Sequence, residues 1–562
     1  MIGADILLKS LLKEGVEIIF GYPGGVTIPL YDKLKNYPQI KHILTRHEQG
    51  AALAADGYFR TTGRVGVCLA TSGPGATNLI TGIANAYMDS IGIVAITCQV
   101  SSALIGSDAF QEVDITRITK PITKHNYFID NINDLPSIVN EAFYLALSGR
   151  PRPVHIDIPV DILKTEVKKF NYPSKASLSS YSSLQKISKE EIKKTCQLIE
   201  KSERPIVIAG HGISISQAET ELKKFIEKTD IPVVTTLLGI GSLSEKHPMN
   251  FGMLGMHGMA YANYATHNAD LIIGIGTRFS DRITGNIKEF AKNANVIHID
   301  IDPAEIGKNI SVNIPLLGDC KKILMELNKK IVQLSHSDWV MKIKERKEQT
   351  DLQKIKKSSR IDNNKCLMAQ DIMREIDLQT KGEAVIVSDV GQNQMWSAQY
   401  FEYTKPNQFL SAGGLGSMGY SLPASIGAKF GNPKSDIWAI MGDGGFQMNM
   451  QELGVIMEHK LPIKIIILNN GYLGMVRQWQ EMFFEKNYAA TKLANPDFIQ
   501  IAKSYGIEAY QITEWMDAKS KIKKAINSDK PIFLDFIIGA EDIVLPMIPT
   551  GNNLGDIIVE RS

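Results

Sequence analysis

Cysteine is scarce in this chain. Cys68, Cys98, Cys196, Cys320 and Cys366 are the five in 562 residues, and no two form a Cys-x-x-Cys pair. That spacing offers neither a disulfide framework nor a cysteine zinc site. Long apolar runs are missing too: no stretch approaches the roughly 18–20 residues that cross a bilayer. The opening residues, MIGADILLKSLLKEGVEIIFGYPGG, pass straight into an amphipathic helix and a strand, without the apolar core and cleavage site of a secretory signal. The expected home is a reducing cytoplasm, with no membrane partner. Excess charge of either sign is absent: 62 Lys and Arg stand against 60 Asp and Glu, a net +2, so electrostatics makes no case for nucleic acid. At the turns that end the strands of the middle block (190–335), a full Gly-x-Gly-x-x-Gly dinucleotide fingerprint is lacking as well. What remains is an ordinary globular composition, 44% hydrophobic and 22% charged. A chain of this length is expected to form about three domains.

Two segments read as linkers: 165–190, rich in Ser, Lys and Tyr, and 340–365, strongly basic (KIKERKEQTDLQKIKKSSR) and read as a solvated helix and connection. They divide the chain into blocks at 1–165, 190–335 and 365–550. In the middle block, strands are expected at Pro205–Ala209, Asp270–Ile275 and Val296–Ile301, the first two ending in Gly210-His211-Gly212 and Gly276-Thr277-Arg278. Gly-ended parallel strands allow a nucleotide across the sheet edge. The first and third blocks look like variants of one unit. Residues 65–99 read strand, Gly-rich turn, helix, strand; so does 437–479, which sets Ser72-Gly73-Pro74-Gly75 against Gly442–Gly445 and Gln99 against Asn469-Asn470.

That second stretch, IWAIMGDGGFQMNMQELGVIMEHKLPIKIIILNNGYLGMVRQW, carries the strongest chemical signal. The apolar runs Ile437–Met441 and Ile463–Leu468 have strand length, and Met450–His459 suits an amphipathic helix between them. In a parallel sheet both strands end on one edge, where α/β folds bind ligands. A carboxylate (Asp443) and a carboxamide (Asn470) then meet there, beside a helix N-terminus that favours anions. Hard oxygen ligands of this kind suit Mg²⁺ shared with a phosphorylated cofactor. The pattern resembles the thiamine diphosphate motif, in which GDG is followed by NN after a helix and a strand.

Further segments extend the likeness along the chain. Phe20-Gly21-Tyr22-Pro23-Gly24-Gly25, RHEQGA around Glu48, TSGPGATN, and Ile105–Glu112 (IGSDAFQE) look like the pyrimidine-binding domain of the acetohydroxyacid synthase (acetolactate synthase) catalytic subunits. GMLGMHGMAYANYA, GTRFSDRITG and HIDIDPAEIGKN continue it through the middle block; GGLGSMGYSLPASIGA and LGMVRQWQ continue it to about residue 550. The resemblance implies three doubly wound parallel α/β domains: pyrimidine-binding (1–165), central and FAD-associated (190–335), and diphosphate-binding (365–550). It implies an enzyme that decarboxylates pyruvate on thiamine diphosphate and transfers the two-carbon unit to a second pyruvate or to 2-ketobutyrate. FAD would be structural, because no electrons are transferred overall.

Carried over residue by residue, the resemblance makes Glu48 the carboxylate that activates the cofactor through its pyrimidine. Gly416 accepts a hydrogen bond from the 4′-amino group, and Met418 props the bent cofactor. Gly25 and Gln111 approach the reacting centre. Arg282 binds the carboxylate of the second substrate, for which its planar fork is apt, and Trp479 shapes the acceptor pocket. Asp443, Asn470 and the Tyr472 carbonyl hold Mg²⁺; Gly442, Gly444 and Met475 border the thiamine cofactor. Arg150, His257, Gly276, Arg278, Asp300 and Asp319 contact FAD. The cofactor is expected between two subunits, as a homodimer or homotetramer, with a small regulatory subunit as a further partner. Two alternatives remain open on sequence: a catabolic, FAD-free relative, and a non-catalytic thiamine-fold or FAD-binding subunit. The chain also departs from the family's G-Q-V-P-R-R and P-K-D segments, reading Cys98-Gln99-Val100-Ser101-Ser102-Ala103 and Pro159-Val160-Asp161. In the family those Pro, Arg and Lys positions line the channel in which sulfonylurea herbicides lodge.

Overall fold

The computed structural model describes residues 1–176, 187–358 and 367–560. It contains three six-stranded sheets. The first comprises Ile18–Gly21 (β1), Lys41–Leu44 (β2), Gly66–Ala70 (β3), Ile93–Gln99 (β4), His125–Phe128 (β5) and Val154–Pro159 (β6). The second comprises Pro205–Ala209 (β7), Val233–Thr235 (β8), Asn250–Met253 (β9), Leu271–Ile275 (β10), Asn295–Asp300 (β11) and Ile314–Leu317 (β12). The third comprises Val385–Ser388 (β13), Phe409–Ser411 (β14), Ile437–Gly442 (β15), Lys464–Asn469 (β16), Glu508–Ile512 (β17) and Ile532–Ile537 (β18). Adjacent strands are parallel throughout. Parallel sheets need cover on both faces, which is why β3, β4, β7, β10 and β13 are buried along their whole length.

The first and third sheets share one topology. Their orders are β2-β1-β3-β4-β6-β5 and β14-β13-β15-β16-β18-β17, the same path taken twice. The similarity seen between 65–99 and 437–479 is thus part of a whole-sheet correspondence. The second sheet runs β12-β11-β10-β7-β8-β9, outward in both directions from the central β7–β10 pair, as in dinucleotide-binding sheets.

One core lies between the first and third sheets. Its middle is the Glu48–Thr62 helix packed on the Ser421–Gly431 helix, with Leu53, Ala54, Tyr420, Leu422 and Ala424 fully or nearly fully buried. Small residues set the closeness of this crossing. A Cβ added to Gly57 would overlap the carbonyl of Ala424, and one added to Gly427 would overlap the carbonyl of Ala54.

Three local readings need correction. The helix expected over Met450–His459 begins earlier, at Asp443, pauses in a 3-10 turn at Met450–Glu452, and resumes over Leu453–Glu458. Gly442 is extended and caps it, and Asp443 in its first turn complements the helix dipole, so the Gly-Asp-Gly-Gly segment opens the helix instead of forming a separate turn. The second strand of that unit is displaced by one residue, to Lys464–Asn469. The basic run lies on a helix, Ser337–Ser358, but that helix is not solvated all round: Trp339, Val340 and Ile343 join the core of the second sheet, and Trp339 Nε1 donates to the Pro205 carbonyl at 3.1 Å. Residues 359–366, which include Cys366, and residues 177–186 of the first linker lie outside the described residues.

Candidate active site

At the C-terminal edge of the third sheet, β15 and β16 are adjacent and in register, Gly442 against Leu468. Asp443 follows directly and is 1% exposed. Burial raises its carboxyl above the usual carboxylate range. Its Oδ2 accepts from Asn495 Nδ2 at 2.6 Å, and the same amide reaches Asn469 Oδ1 at 3.1 Å, tying the two strand ends together. Among the described residues no Lys, Arg or His forms an ion pair with Asp443. Asn470 is oriented from both sides: its Nδ2 donates to Gln392 Oε1 at 3.1 Å, and its Oδ1 accepts from the Tyr472 backbone at 3.1 Å. A buried carboxylate without a counter-charge, beside an oriented amide oxygen and a backbone carbonyl, is an oxygen donor set that fits Mg²⁺. Gly444 adjoins Met418, whose Cε lies 3.6 Å from where a Gly444 Cβ would stand.

Met418 and Gly416 border a continuous cavity of about 2590 Å³. Met475 and Trp479 of the Gly474–Phe483 helix line it, with Trp479 edge-on to Phe483 at 5.4 Å. Arg282 enters from the second sheet; it is more than half exposed, and Met256 Sδ lies 3.2 Å from its guanidinium. The cavity continues to the β7–β10 junction, where His257, Gly276, Arg278, Asp300, Asp319 and Arg150 line it. Glycines make this crevice, since a Cβ on Gly212 would meet Gly276 Cα at 2.6 Å. Arg278 is mostly buried, which pushes its guanidinium pKa down; its carbonyl accepts from Asn309 Nδ2 at 2.9 Å, but the guanidinium makes no hydrogen bond or ion pair with another described residue. Such a cation suits a diphosphate. His257 Nδ1 is likewise buried without a hydrogen-bond partner, and burial lowers this imidazole to about 4. Asp300 is pushed up to about 6 by desolvation, and Asp319 caps the Cys320–Lys330 helix through Lys322 N at 3.0 Å. Arg150 differs: it is already paired with Glu305 at 2.8 Å and Asp302 at 3.2 Å. The switch-point order, the glycine crevice and the unpaired Arg278 fit a dinucleotide such as FAD.

Glu48, Gly25 and Gln111 gather elsewhere, at the β1–β3 edge of the first sheet. Glu48 is the first residue of its helix, capped by His47, and its Oε2 accepts from Asn78 at 3.0 Å. A Cβ on Gly75 would stand 3.1 Å from Glu48 Oε1, and one on Gly73 2.8 Å from the Gln111 carbonyl. Gly25 has open space beside it. Gln111 has positive φ (61°), on a loop whose Phe110 is 88% exposed. None of these three lines the cavity that holds Met418 and Trp479.

Sequence reading passed over Gln392, Asn495 and Asp389. Gln392 has a signal of its own, standing just after Gly391 where β13 leaves the sheet. Asn495 has none, since its role depends on a loop brought back from a distance.

Comparison with known proteins agrees with this geometry. Residues 1–118, 192–327 and 389–536 match the models for the N-terminal TPP binding domain, the central domain and the C-terminal TPP binding domain of thiamine pyrophosphate enzymes. A probable acetolactate synthase large subunit of Methanococcus aeolicus is 47% identical, over 99% of this chain and 95% of its own. The acetolactate synthase large subunit of Corynebacterium glutamicum is 44% identical over 99% of this chain and 90% of its own. A chloroplastic acetolactate synthase of Zea mays is 44% identical over 99% and 89%. With each sheet overlapping one of these matches and the identity running nearly end to end, the chain belongs to the thiamine pyrophosphate enzymes, among the acetolactate synthase large subunits.

Proposed function

We propose that this chain is the catalytic subunit of an acetolactate synthase, joining pyruvate to a second 2-keto acid with loss of CO₂. With pyruvate as acceptor the product is 2-acetolactate; with 2-ketobutyrate it is 2-aceto-2-hydroxybutyrate, at the first common step of branched-chain amino-acid synthesis. The observation that carries this reading is the single cavity joining Met418, Trp479 and Arg282 beside the Asp443–Asn470 edge. Thiamine diphosphate, when bound, would supply a nucleophilic carbon at thiazolium C2 and, in the cationic ring, an electron sink for the loss of CO₂.

The chain's own groups do the rest. Asp443, Asn470 and the Tyr472 carbonyl hold Mg²⁺ against the diphosphate, and Gly442 and Gly444 leave room for it. The Gly416 carbonyl accepts from the 4′-amino group, Met418 props the pyrimidine, and Glu48 holds a proton at its N1′. Gly25 and Gln111 border the reacting centre. Arg282 binds the acceptor's carboxylate, and Trp479 with Met475 walls its pocket. Arg278, His257, Gly276, Asp300, Asp319 and Arg150 hold FAD, which has no redox task in a reaction without net electron transfer.

Because Glu48, Gly25 and Gln111 stand apart from the cavity, we assign the complete site to a homodimer, or a homotetramer built from it. The exposed Phe110 beside Gln111 supports a second copy covering that loop. The relatives' designation as large subunits is the reason to include a small regulatory partner. The units are taken as 1–165, 190–335 and 365–550. The four described cysteines are buried and free, which suits a reducing cytoplasm; among the described residues no helix is long and apolar enough to cross a membrane. The test is acetolactate formation from pyruvate by purified protein, with and without thiamine diphosphate and Mg²⁺, plus an absorbance spectrum for bound flavin. Activity independent of both additions, in protein stripped of them, refutes the reading.

A further inference from the structure

Between β14 and the Ser421–Gly431 helix the chain crosses the cavity edge as a strap, Gly413-Gly414-Leu415-Gly416-Ser417-Met418-Gly419-Tyr420-Ser421. Three of its first four residues are glycines, so side chains hold little of it. Gly416 lies at φ 75°, and the nearest atom to a Cβ there would be Val390 Cγ1 at 4.0 Å. Leu415 is 44% exposed. A glycine-rich span of this kind has wide backbone freedom, and its place must be set from its ends.

Each end is held by a buried carboxylate. Asp389, just after β13 and 1% exposed, accepts from Val390 N at 2.8 Å and Gly419 N at 2.9 Å on Oδ1, and from Ser421 N at 3.1 Å on Oδ2. Asp89, the last residue of the Ile80–Asp89 helix and 2% exposed, accepts from Gly413 N at 3.0 Å and Arg60 Nη2 at 2.8 Å. Arg60 is shared with Asp56, and the Asp89 carbonyl meets His211 Nδ1 at 3.0 Å. Asp89 is therefore a joint of all three sheets: Arg60 belongs to the first, His211 to the second and Gly413 to the third. Ser417 Oγ adds a tie to Asn85 at 3.2 Å.

We propose that Asp89 and Asp389 are positioning residues that hold the two ends of this strap and thereby set where Gly416 and Met418 stand. The proposal rests on the reading that Gly416 and Met418 face the aminopyrimidine of thiamine diphosphate. Its content is that the carboxylates act through those two groups and not merely through stability. Asp389→Asn would set an NH₂ group against a backbone N–H and shift one end; Asp89→Asn removes the charge facing Arg60 while Asp56 still pairs with it.

The experiment uses the full chain with thiamine diphosphate and Mg²⁺, and reads melting temperature, cofactor Kd by fluorescence titration, and C2–H/D exchange of the bound cofactor. Asp389→Asn and Asp89→Asn should melt as folded proteins and keep cofactor affinity within a few fold, because the Asp443–Asn470 grip is untouched. Exchange should slow by at least about tenfold, as a small misplacement of a reacting group costs that much or more. Met418→Ala should slow it too, and Asp389→Asn/Met418→Ala should lose less than the product of the two single losses, since the carboxylate acts in part through Met418 and coupled groups do not add. Unchanged exchange in the folded, loaded Asp variants, with Met418→Ala slowed, overturns the proposal; so does a double variant whose loss equals the product of the two. Unchanged exchange in Met418→Ala removes the underlying reading of Met418 and this proposal with it. Where Asp389→Asn does not fold, Asp89→Asn and the milder Ser417→Ala carry the same comparison.

Discussion

Glu48 is placed by two neighbours: His47 caps its helix, and Asn78 holds one carboxylate oxygen, while Gly75 leaves the other with no side chain against it. A glutamine there keeps the Asn78 contact and loses the proton. Glu48→Gln should therefore fold and bind thiamine diphosphate, yet slow C2–H/D exchange of the bound cofactor by about 10²–10⁴-fold, the usual cost of one acid/base group. An unchanged exchange rate removes Glu48 from the role. A second residue-scale expectation concerns Ser101, Ala103 and Val160. These positions converge, because Ser102 reaches Asp161 through both its backbone N (2.9 Å) and its Oγ (3.2 Å). The corner offers no proline wall and no cation to an anionic inhibitor. With each lost contact worth about 1–2 kcal/mol, or roughly tenfold in affinity, the enzyme should resist sulfonylureas at concentrations that stop relatives carrying Pro and Lys. Nanomolar inhibition in a dose–response curve would contradict this.

Among the elements, the crossing of the Glu48–Thr62 and Ser421–Gly431 helices is the tightest junction between the first and third sheets. Gly57→Ala and Gly427→Ala each force a methyl into a backbone carbonyl, which cannot rotate away. Each should cost about 1–3 kcal/mol or more by overpacking, and by a similar amount, measured as the shift of the urea midpoint. Close by, Glu452 is buried with Oε1 accepting from Arg46 N at 2.9 Å and Oε2 unpartnered. Desolvation raises it from 4.5 to about 7. The folded state then holds this proton more tightly than the unfolded chain, so stability from this group is fullest below pH 4.5 and is lost as pH rises to about 7. Glu452→Gln should raise the melting temperature at pH 8, by a margin equivalent to about 1–3 kcal/mol, and the gap should close near pH 5. Equal melting at both pH values would show that the charge is solvated.

Much at this scale was legible beforehand. The β-branched runs that became β7, β10, β15 and β16 announced themselves, as did the Gly-Asp-Gly and Asn-Asn strand ends. The helix start at Asp443 was missed because a Gly-Asp-Gly-Gly string reads as a turn by local propensity; the strand's register on its neighbour and the N-terminal Asp overrode it. Asn495 and Asp389 were invisible for a different reason. Asn495 meets the Asp443 carboxylate and the Asn469 amide, Asp389 meets the Gly419 and Ser421 backbone, and no spacing rule connects residues so far apart in the chain.

For the whole molecule, the separation of Glu48 from the Met418 cavity gives a test by mixing. Glu48→Gln and Asp443→Ala are each expected to be inactive. In a site built from two chains, co-refolded mixtures would contain dimers with one intact pair of edges and regain about a quarter of wild-type activity under random two-fold pairing. A site complete within one chain would regain nothing.

The two packed helices have a further consequence. Ala54 and Gly57 lie on the helix that follows the second strand of the first sheet; Ala424 and Gly427, at the same spacing, lie on the helix that follows the second strand of the third. Gly57 meets Ala424 while Gly427 meets Ala54, which is the reciprocal contact of a two-fold axis, here within a single chain. The fold has in this sense an internal two-fold, and the corner just before each of these helices occurs twice in it. One copy carries the acid Glu48 and the other the prop Met418, so neither can stand in for its twin.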